Sequence, residues 1–124
     1  MSNNIGFKKV LKAFLVGTDR RLKNDETFTN YREDGTELQR LRYHGNTIAY
    51  YLKDEPGTIF VSLAGWGTVS TRARLNEICR ATCIASHGFY QSKHIQYAAT
   101  DSGDHEIGED DWLVIDKENC ILHI

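Results

Sequence analysis

The stretch "TIAYYLKDEPGTIFVSLA" (residues 47–64) decides the fold class of this 124-residue chain. Residues 47–53 and 58–64 are rich in aromatic and β-branched side chains, which favour strands. Between these two segments, Pro56-Gly57 indicates a turn, because proline presets its own φ and glycine accepts a positive φ. We therefore expect two successive strands at the centre of the chain.

Further strands are predicted on both sides of this centre. Residues 38–44 read as an extended segment that ends in a tight turn at Gly45-Asn46, which makes the middle of the chain a β-meander. The stretch "FYQSKHIQYAA" (residues 89–99) indicates one strand or two short ones. "DWLVID" and "CILHI" predict a C-terminal hairpin over "DKEN".

Two amphipathic helices are predicted, near residues 5–16 and 71–86. The first has apolar residues at helical spacing, with Asn3 or Asn4 as its cap and Gly17 at its end: Phe7, Val10, Leu11, Phe14 and Leu15. In the second, one face collects six residues before Gly88, the expected stop: Leu75, Ile78, Cys79, Thr82, Ala85 and Ser86.

These elements predict a single α+β domain over residues 1–124, with a mostly antiparallel sheet and two helices. The predicted order is α–β–β–β–α–β–β–β. Residues 18–36 are polar and lack periodicity, which predicts a connecting segment without regular structure.

Composition bounds the class of protein. The hydrophobic fraction of 40% and net charge of −2 are ordinary for a soluble globular protein, and no apolar run is long enough to span a bilayer. Lysines inside the first apolar pattern argue against a signal peptide. The three cysteines lack the spacing of a disulfide framework, so we expect a reducing cytoplasm.

The charge is unevenly distributed. Residues 1–23 are strongly basic and residues 101–118 strongly acidic. Such asymmetry is compatible with two solvated surfaces, with attraction of a charged partner, or with homo-oligomer formation.

The stretch "GWGTVSTRARLNEICR" (residues 65–80) contains the candidate binding site. Hydroxyl side chains precede the second helix, whose start we place at Ser70–Thr71. They can cap that helix or, with an arginine, hold an anion. Arg72, Asn76 and Arg80 recur every four residues and predict an exposed stripe, with Glu77 as a pairing partner that weakens the anion interpretation. The candidate residues for anion or partner binding are Thr68, Ser70, Thr71, Arg72, Asn76 and Arg80, with Trp66 as an aromatic contact.

No metal, cofactor or catalytic site is predicted. Cys79, Cys83 and His87 follow one another at four-residue intervals, but the cysteines coincide with the apolar helix face, which favours reduced, buried and metal-free thiols. "DSGDHE" (residues 101–106) lacks the ligand spacing of a calcium loop and reads as a solvated turn. The five histidines lack the local frame of a nucleophile and its base, so an enzyme is not expected.

Residues 43–78, "YHGNTIAYY…TIFVSLAGWGTVSTRARLNEI", resemble a family of small, uncharacterised bacteriophage proteins. The shared features are an HGN-x-I turn followed by glycine–aromatic–x-threonine, hydroxyl residues and R-[LM]-N. His44–Asn46 and Gly65–Asn76 carry the resemblance most specifically. The resemblance implies a phage origin and a location in the host cytoplasm, and it implies no chemistry.

Two functions follow as hypotheses. The first is a non-enzymatic phage accessory protein that binds a host protein, such as one in a defence complex, and inhibits or modulates it. The second is a module that binds nucleotide or nucleic-acid phosphates at the N-terminus of helix 71–86. Neither hypothesis requires a cofactor or a membrane.

Overall fold

The computed structural model describes residues 5–84 and 88–124. Its contacts group the chain into two compact units, Met1–Pro56 and Gly57–Ile124. Whether the chain is one domain stays a prediction. The first unit contains α1 (Ile5–Val16), β1 (Arg20–Leu22), β2 (Asp25–Tyr31), β3 (Glu37–Tyr43) and β4 (Asn46–Leu52). The second contains β5 (Thr58–Val61), α2 (Val69–Ala81), β6 (Gly88–Ser92), β7 (Ile95–Thr100), β8 (Gly103–Glu106), β9 (Leu113–Asp116) and β10 (Ile121–His123).

The first unit is an antiparallel meander of β1, β2, β3 and β4 with α1 against its first three strands. The predicted helix 5–16 is confirmed, and Gly17 ends it with a φ of 83°. The apolar face of α1 is buried, and the Tyr51 hydroxyl donates to the Phe14 carbonyl at 2.5 Å. The proposed caps Asn3 and Asn4 lie outside the described residues.

The prediction that residues 18–36 lack regular structure is wrong, since β1 and β2 form a hairpin there. The segment has no apolar alternation because the inward side chains of β2 are polar and bonded. Thr27 is buried and its hydroxyl donates to the Arg40 carbonyl at 2.7 Å. The buried Gln39 amide donates in turn to the Thr27 hydroxyl at 2.8 Å. A buried polar group that finds such partners is tolerated in a sheet.

The second unit has two antiparallel groups of strands and one helix. In one group β9 lies between β5 and β10, and in the other β7 lies between β6 and β8. The predicted C-terminal hairpin is confirmed as β9–β10, and residues 89–99 contain two strands rather than one. The expected solvated turn covers only residues 101–102, because Gly103–Glu106 forms the edge strand β8.

Helix α2 spans Val69–Ala81, so it begins two residues before the predicted range and ends five residues before its end. Its termination does not use Gly88, which is the first residue of β6. The Ile84 N–H donates to the Cys79 carbonyl at 2.7 Å, and Cys83 has a φ of 71°. This is the left-handed ending that glycine usually provides, formed here by a cysteine. Ala85 and Ser86, expected on the helix face, lie outside the described residues.

Both units agree with the predicted fold class, α+β with mostly antiparallel strands. The predicted turn at Gly45-Asn46 falls one residue earlier, at His44 and Gly45, whose φ values are 50° and 79°. Positive φ at both central positions is typical of a two-residue hairpin turn that matches strand twist.

Candidate functional site

The loop that enters α2 has a fixed backbone conformation. Ala64 and Gly65 have φ values of 55° and 84°, and the Trp66 N–H donates to the Leu63 carbonyl at 3.0 Å. Positive φ at both central positions identifies a type I′ turn. The Ser62 hydroxyl accepts from the Ala64 N–H at 3.0 Å, which holds the alanine in a conformation it rarely adopts.

Thr68 is the N-cap of α2. Its hydroxyl oxygen accepts from the Thr71 N–H at 3.3 Å and lies 3.0 Å from the Thr71 hydroxyl. The helix start is therefore not at Ser70–Thr71, and Thr71 is buried on the inner side of the first turn. The three predicted hydroxyl residues do come together, because the Ser70 hydroxyl lies 3.4 Å from that of Thr68.

Arg72 points its guanidinium inward, against the expectation of an exposed stripe. One of its terminal nitrogens, Nη1, donates to the Gly67 carbonyl at 2.9 Å. The same nitrogen lies 3.1 Å from the side-chain oxygens of both Gln91 and Gln96. Arg72 thus joins the first turn of α2 to the β6–β7 hairpin. Charge-assisted bonds of this kind are stronger than neutral ones.

Asn76 is likewise bonded within the unit. Its side-chain amide donates to the Phe89 carbonyl at 3.0 Å, and its oxygen accepts from the Phe89 N–H at 2.6 Å. A side chain at Gly88 would collide with this amide, since its Cβ would lie 2.6 Å from Asn76 Oδ1. The predicted member of the binding stripe therefore aligns the start of β6.

Of the three stripe positions, Arg80 is exposed, whereas Arg72 and Asn76 are half-buried. Its guanidinium forms the expected pair with Glu77 at 2.5 Å. Arg74, on the other flank, donates to the Ser70 carbonyl at 3.1 Å.

An acidic loop, residues 108–111, lies against the entry to α2. The Glu109 carbonyl accepts from the Gly65 N–H at 2.8 Å, and the Glu109 carboxylate accepts from the Gly67 N–H at 2.9 Å. Asp111 closes the loop on itself by accepting from the Gly108 N–H at 2.7 Å. The Glu109 carboxylate therefore bonds to Gly67, the residue before the helix cap Thr68. An external anion was expected at this place.

Three large apolar side chains are exposed beside these contacts. Trp66 is 57% exposed, Val69 is 75% exposed and Trp112 is 43% exposed. Trp66 lies between the two glycines that bond to Glu109, and Trp112 follows the acidic loop directly. Tryptophan is enriched among the residues that dominate protein–protein binding energy.

The cysteines differ from the prediction in one important respect. Cys79 is buried and free, as predicted, and its burial raises the pKa of the thiol to about 12. Cys83 is neither buried nor reduced, because it forms a disulfide with Cys120 across a Cα–Cα distance of 5.4 Å. The two cysteines are 37 residues apart in sequence, and the ending of α2 brings them together with the β9–β10 turn.

In the described part of the chain, no three metal-ligating side chains are grouped closely enough to hold a metal ion. His87, the third member of the series with Cys79 and Cys83, lies outside that part. No described helix is long and apolar enough to cross a membrane.

Residues 6–117 match the family described as Kyanoviridae Gp96 protein. The chain belongs to this family. It is thus a protein of a cyanophage family, which agrees with the phage origin implied by residues 43–78. No curated protein and no solved structure matches the chain.

The Gp96 family match spans both the α2 entry and the acidic loop. Sequence reasoning identified Trp66 and the hydroxyl cluster but missed Glu109 and Trp112. Their separation by more than forty residues from the α2 entry gives no local signal. The unusual run Glu109-Asp110-Asp111-Trp112, an exposed tryptophan after three carboxylates, is the feature that could have pointed to them.

Proposed function

We propose that this phage protein is a non-catalytic accessory factor that binds a host protein in the host cytoplasm and inhibits or modulates it. We propose further that the target is a component of a defence complex. Docking uses a surface that we call the tryptophan surface, made of Trp66, Val69, Asp110, Asp111 and Trp112.

The observation that carries the proposal is that Trp66 and Trp112 are exposed, although hydrogen bonds hold the backbone of the loop that contains Trp66. The type I′ turn and the two hydrogen bonds to Glu109 hold the loop around Trp66. An exposed aromatic side chain on a fixed loop loses little conformational entropy when a partner covers it.

The carboxylates define the chemistry of the partner. Asp110 and Asp111 are exposed beside Trp112, so the partner surface is expected to be basic around an apolar pocket. Opposite charges at the rim of an interface mainly raise the association rate and select the partner.

The second hypothesis, phosphate binding at the α2 N-terminus, has less support. The Arg72 guanidinium is bonded to Gly67, Gln91 and Gln96, and the Glu109 carboxylate accepts from the Gly67 N–H. A phosphate at this position would have to displace bonds that already exist and overcome repulsion from Glu109.

The experiment is affinity capture from host lysate, with and without nuclease, using the parent protein and matched variants. Trp66→Ala and Asp110→Lys should lose the captured protein, whereas Tyr31→Ala, which removes an exposed aromatic from the first unit, should retain it. The captured protein is then purified, and its binding to the parent should weaken as salt increases.

Equal capture by Trp66→Ala and by the parent would show that the tryptophan surface is not the docking site. Capture that disappears on nuclease treatment would replace the protein partner with a nucleic acid.

A further inference from the structure

The first unit contains an open cleft of about 350 Å³ at one end of its meander. The β1–β2 and β3–β4 turns meet there, since the His44 N–H donates to the Asn24 carbonyl at 2.9 Å. Seven residues line the cleft: Arg21, Lys23, Asn24, Glu26, Arg42, His44 and Gly45. Sequence patterns did not predict this cleft, because the β1–β2 hairpin falls within the polar residues 18–36.

The cleft is electropositive. Arg21, Lys23 and Arg42 face a single carboxylate, that of Glu26, which pairs with Arg42 at 2.7 Å. Arg21 and Lys23 are exposed, and their side chains have no hydrogen bond or ion pair with any residue that the structure describes. Two cations are therefore available to a ligand without breaking an internal contact.

The third cation is held in a fixed orientation. The Arg42 guanidinium lies 4.5 Å above the centre of the Phe28 ring, and Glu26 holds its Nη2 edge. The pairing of β3 with β4 shifts register between Leu41 and Arg42. The residue skipped by this shift, Ile48, lies on β4, and Arg42 itself keeps its regular place opposite Glu26 of β2.

The backbone at the rim of the cleft also adopts rare conformations. Lys23 and His44 have φ values of 56° and 50°, in the left-handed region that non-glycine residues seldom occupy. Both residues lie in the two-residue turns of the β1–β2 and β3–β4 hairpins, which use such values. Here they place both side chains on the walls of the cleft.

We propose that this cleft binds a phosphate-bearing small molecule about the size of a mononucleotide. The phosphate lies between Arg21, Lys23 and Arg42, with the Asn24 amide as a neutral donor. Arginine forks and lysine charges are the groups that proteins use for phosphate oxygens. The volume falls within the range of small-molecule pockets, whereas nucleic-acid backbones are followed by extended basic surfaces. The proposal is independent of the tryptophan surface.

The test is calorimetric titration at low ionic strength with inorganic phosphate, pyrophosphate, a nucleoside diphosphate and a single-stranded oligonucleotide. Pyrophosphate or the diphosphate should bind with one-to-one stoichiometry and more tightly than phosphate. Arg21→Gln and Lys23→Asn should each weaken that binding about ten- to a hundredfold. Asparagine suits position 23 because it tolerates a positive φ.

The matched control is Arg20→Gln, which removes an exposed charge from the same strand without touching the cleft. It should change the affinity less than twofold. Unchanged melting temperatures in all three variants separate loss of a ligand contact from loss of the fold.

Three results would overturn the proposal. The first is no binding of any phosphate compound at millimolar concentration. The second is equal weakening by Arg20→Gln and Arg21→Gln, which indicates nonspecific charge attraction. The third is binding to the oligonucleotide alone, with an affinity that rises with its length.

Discussion

The Glu109 carboxylate accepts a hydrogen bond from the Gly67 N–H at 2.9 Å and occupies the space where any side chain at position 67 would begin. A Cβ at position 67 would also approach Gln96 Nε2 to 2.7 Å. This contact joins residues 42 positions apart and fixes the entry to α2 beside the acidic loop. Position 67 has no positive φ that would favour glycine, so what opposes a side chain there is its contact with Glu109 and Gln96.

Gly67→Ala should lower the free energy of unfolding by about 1–3 kcal/mol, because both Glu109 and Gln96 must move away from their bonds. Urea denaturation followed by circular dichroism measures the change. Gly57→Ala is the control within the same unit, since its Cβ would meet nothing within 4 Å. A variant at position 67 as stable as the control would show that the two side chains relocate without cost.

Thr68→Ala should cost about 1 kcal/mol of stability, since Thr68 caps α2. Ser70→Ala, by contrast, should change the stability by less than about 0.5 kcal/mol, because Ser70 is not the cap. Chemical denaturation of both variants measures the difference. A larger loss of stability in Ser70→Ala than in Thr68→Ala would show that Ser70 is the cap. The sequence alone had placed the helix start at Ser70–Thr71.

Arg72→Ala should lower the free energy of unfolding by about 1–3 kcal/mol. The change removes a charged donor from Gly67, Gln91 and Gln96 together. Arg80→Ala removes only an exposed pair with Glu77 and should cost about 0–0.5 kcal/mol. The sequence had predicted an exposed Arg72, and an exposed helix arginine adds little stability. Equal melting of the two variants would restore that expectation.

The Cys79 thiol should resist alkylation in the folded protein at neutral and mildly alkaline pH. Burial raises its pKa to about 12, so the reactive thiolate is scarce below that pH, and the buried sulfur is inaccessible. Mass spectrometry after iodoacetamide treatment should find Cys79 modified only once denaturant is added. Labelling of the native protein at pH 8 would contradict the buried position.

The Cys83–Cys120 disulfide should contribute about 4 kcal/mol of stability to oxidised protein, as expected from the entropy of closing a loop with a sequence separation of 37. Cys83→Ser with Cys120→Ser should lose that amount in oxidising buffer and match the parent in reducing buffer. Thiol counting gives a second readout, since oxidised parent should show one free thiol after denaturation. Three free thiols in protein purified without reductant would disprove the bond.

The redox state of this pair bears on the proposed location. Disulfides rarely persist in a reducing cytosol, so Cys83 and Cys120 are expected to be thiols in the host cytoplasm. The second unit then depends on its hydrogen bonds and apolar core, including the buried side chains of Leu75, Ile78 and Ile115.

The sequence by itself determined those elements that local spacing and composition reveal. Helix α1 was predicted because apolar residues recur at helical spacing, and the strands β3, β4, β5, β9 and β10 because extended, aromatic or β-branched segments lie between turn signals. Trp66 and the hydroxyl cluster were also found from local sequence alone, because tryptophan and helix caps are recognisable without their neighbours.

Tertiary structure decided everything that depends on residues distant in the chain. β2 is a strand because Thr27 finds Arg40 and Gln39 as bonding partners, and Arg72 points inward because the β6–β7 hairpin offers acceptors. Cys83 pairs with Cys120 because α2 ends in a left-handed residue at that point. A polar side chain carries no sequence period that reveals whether it will face water or a bonding partner, so only the folded chain settles its role.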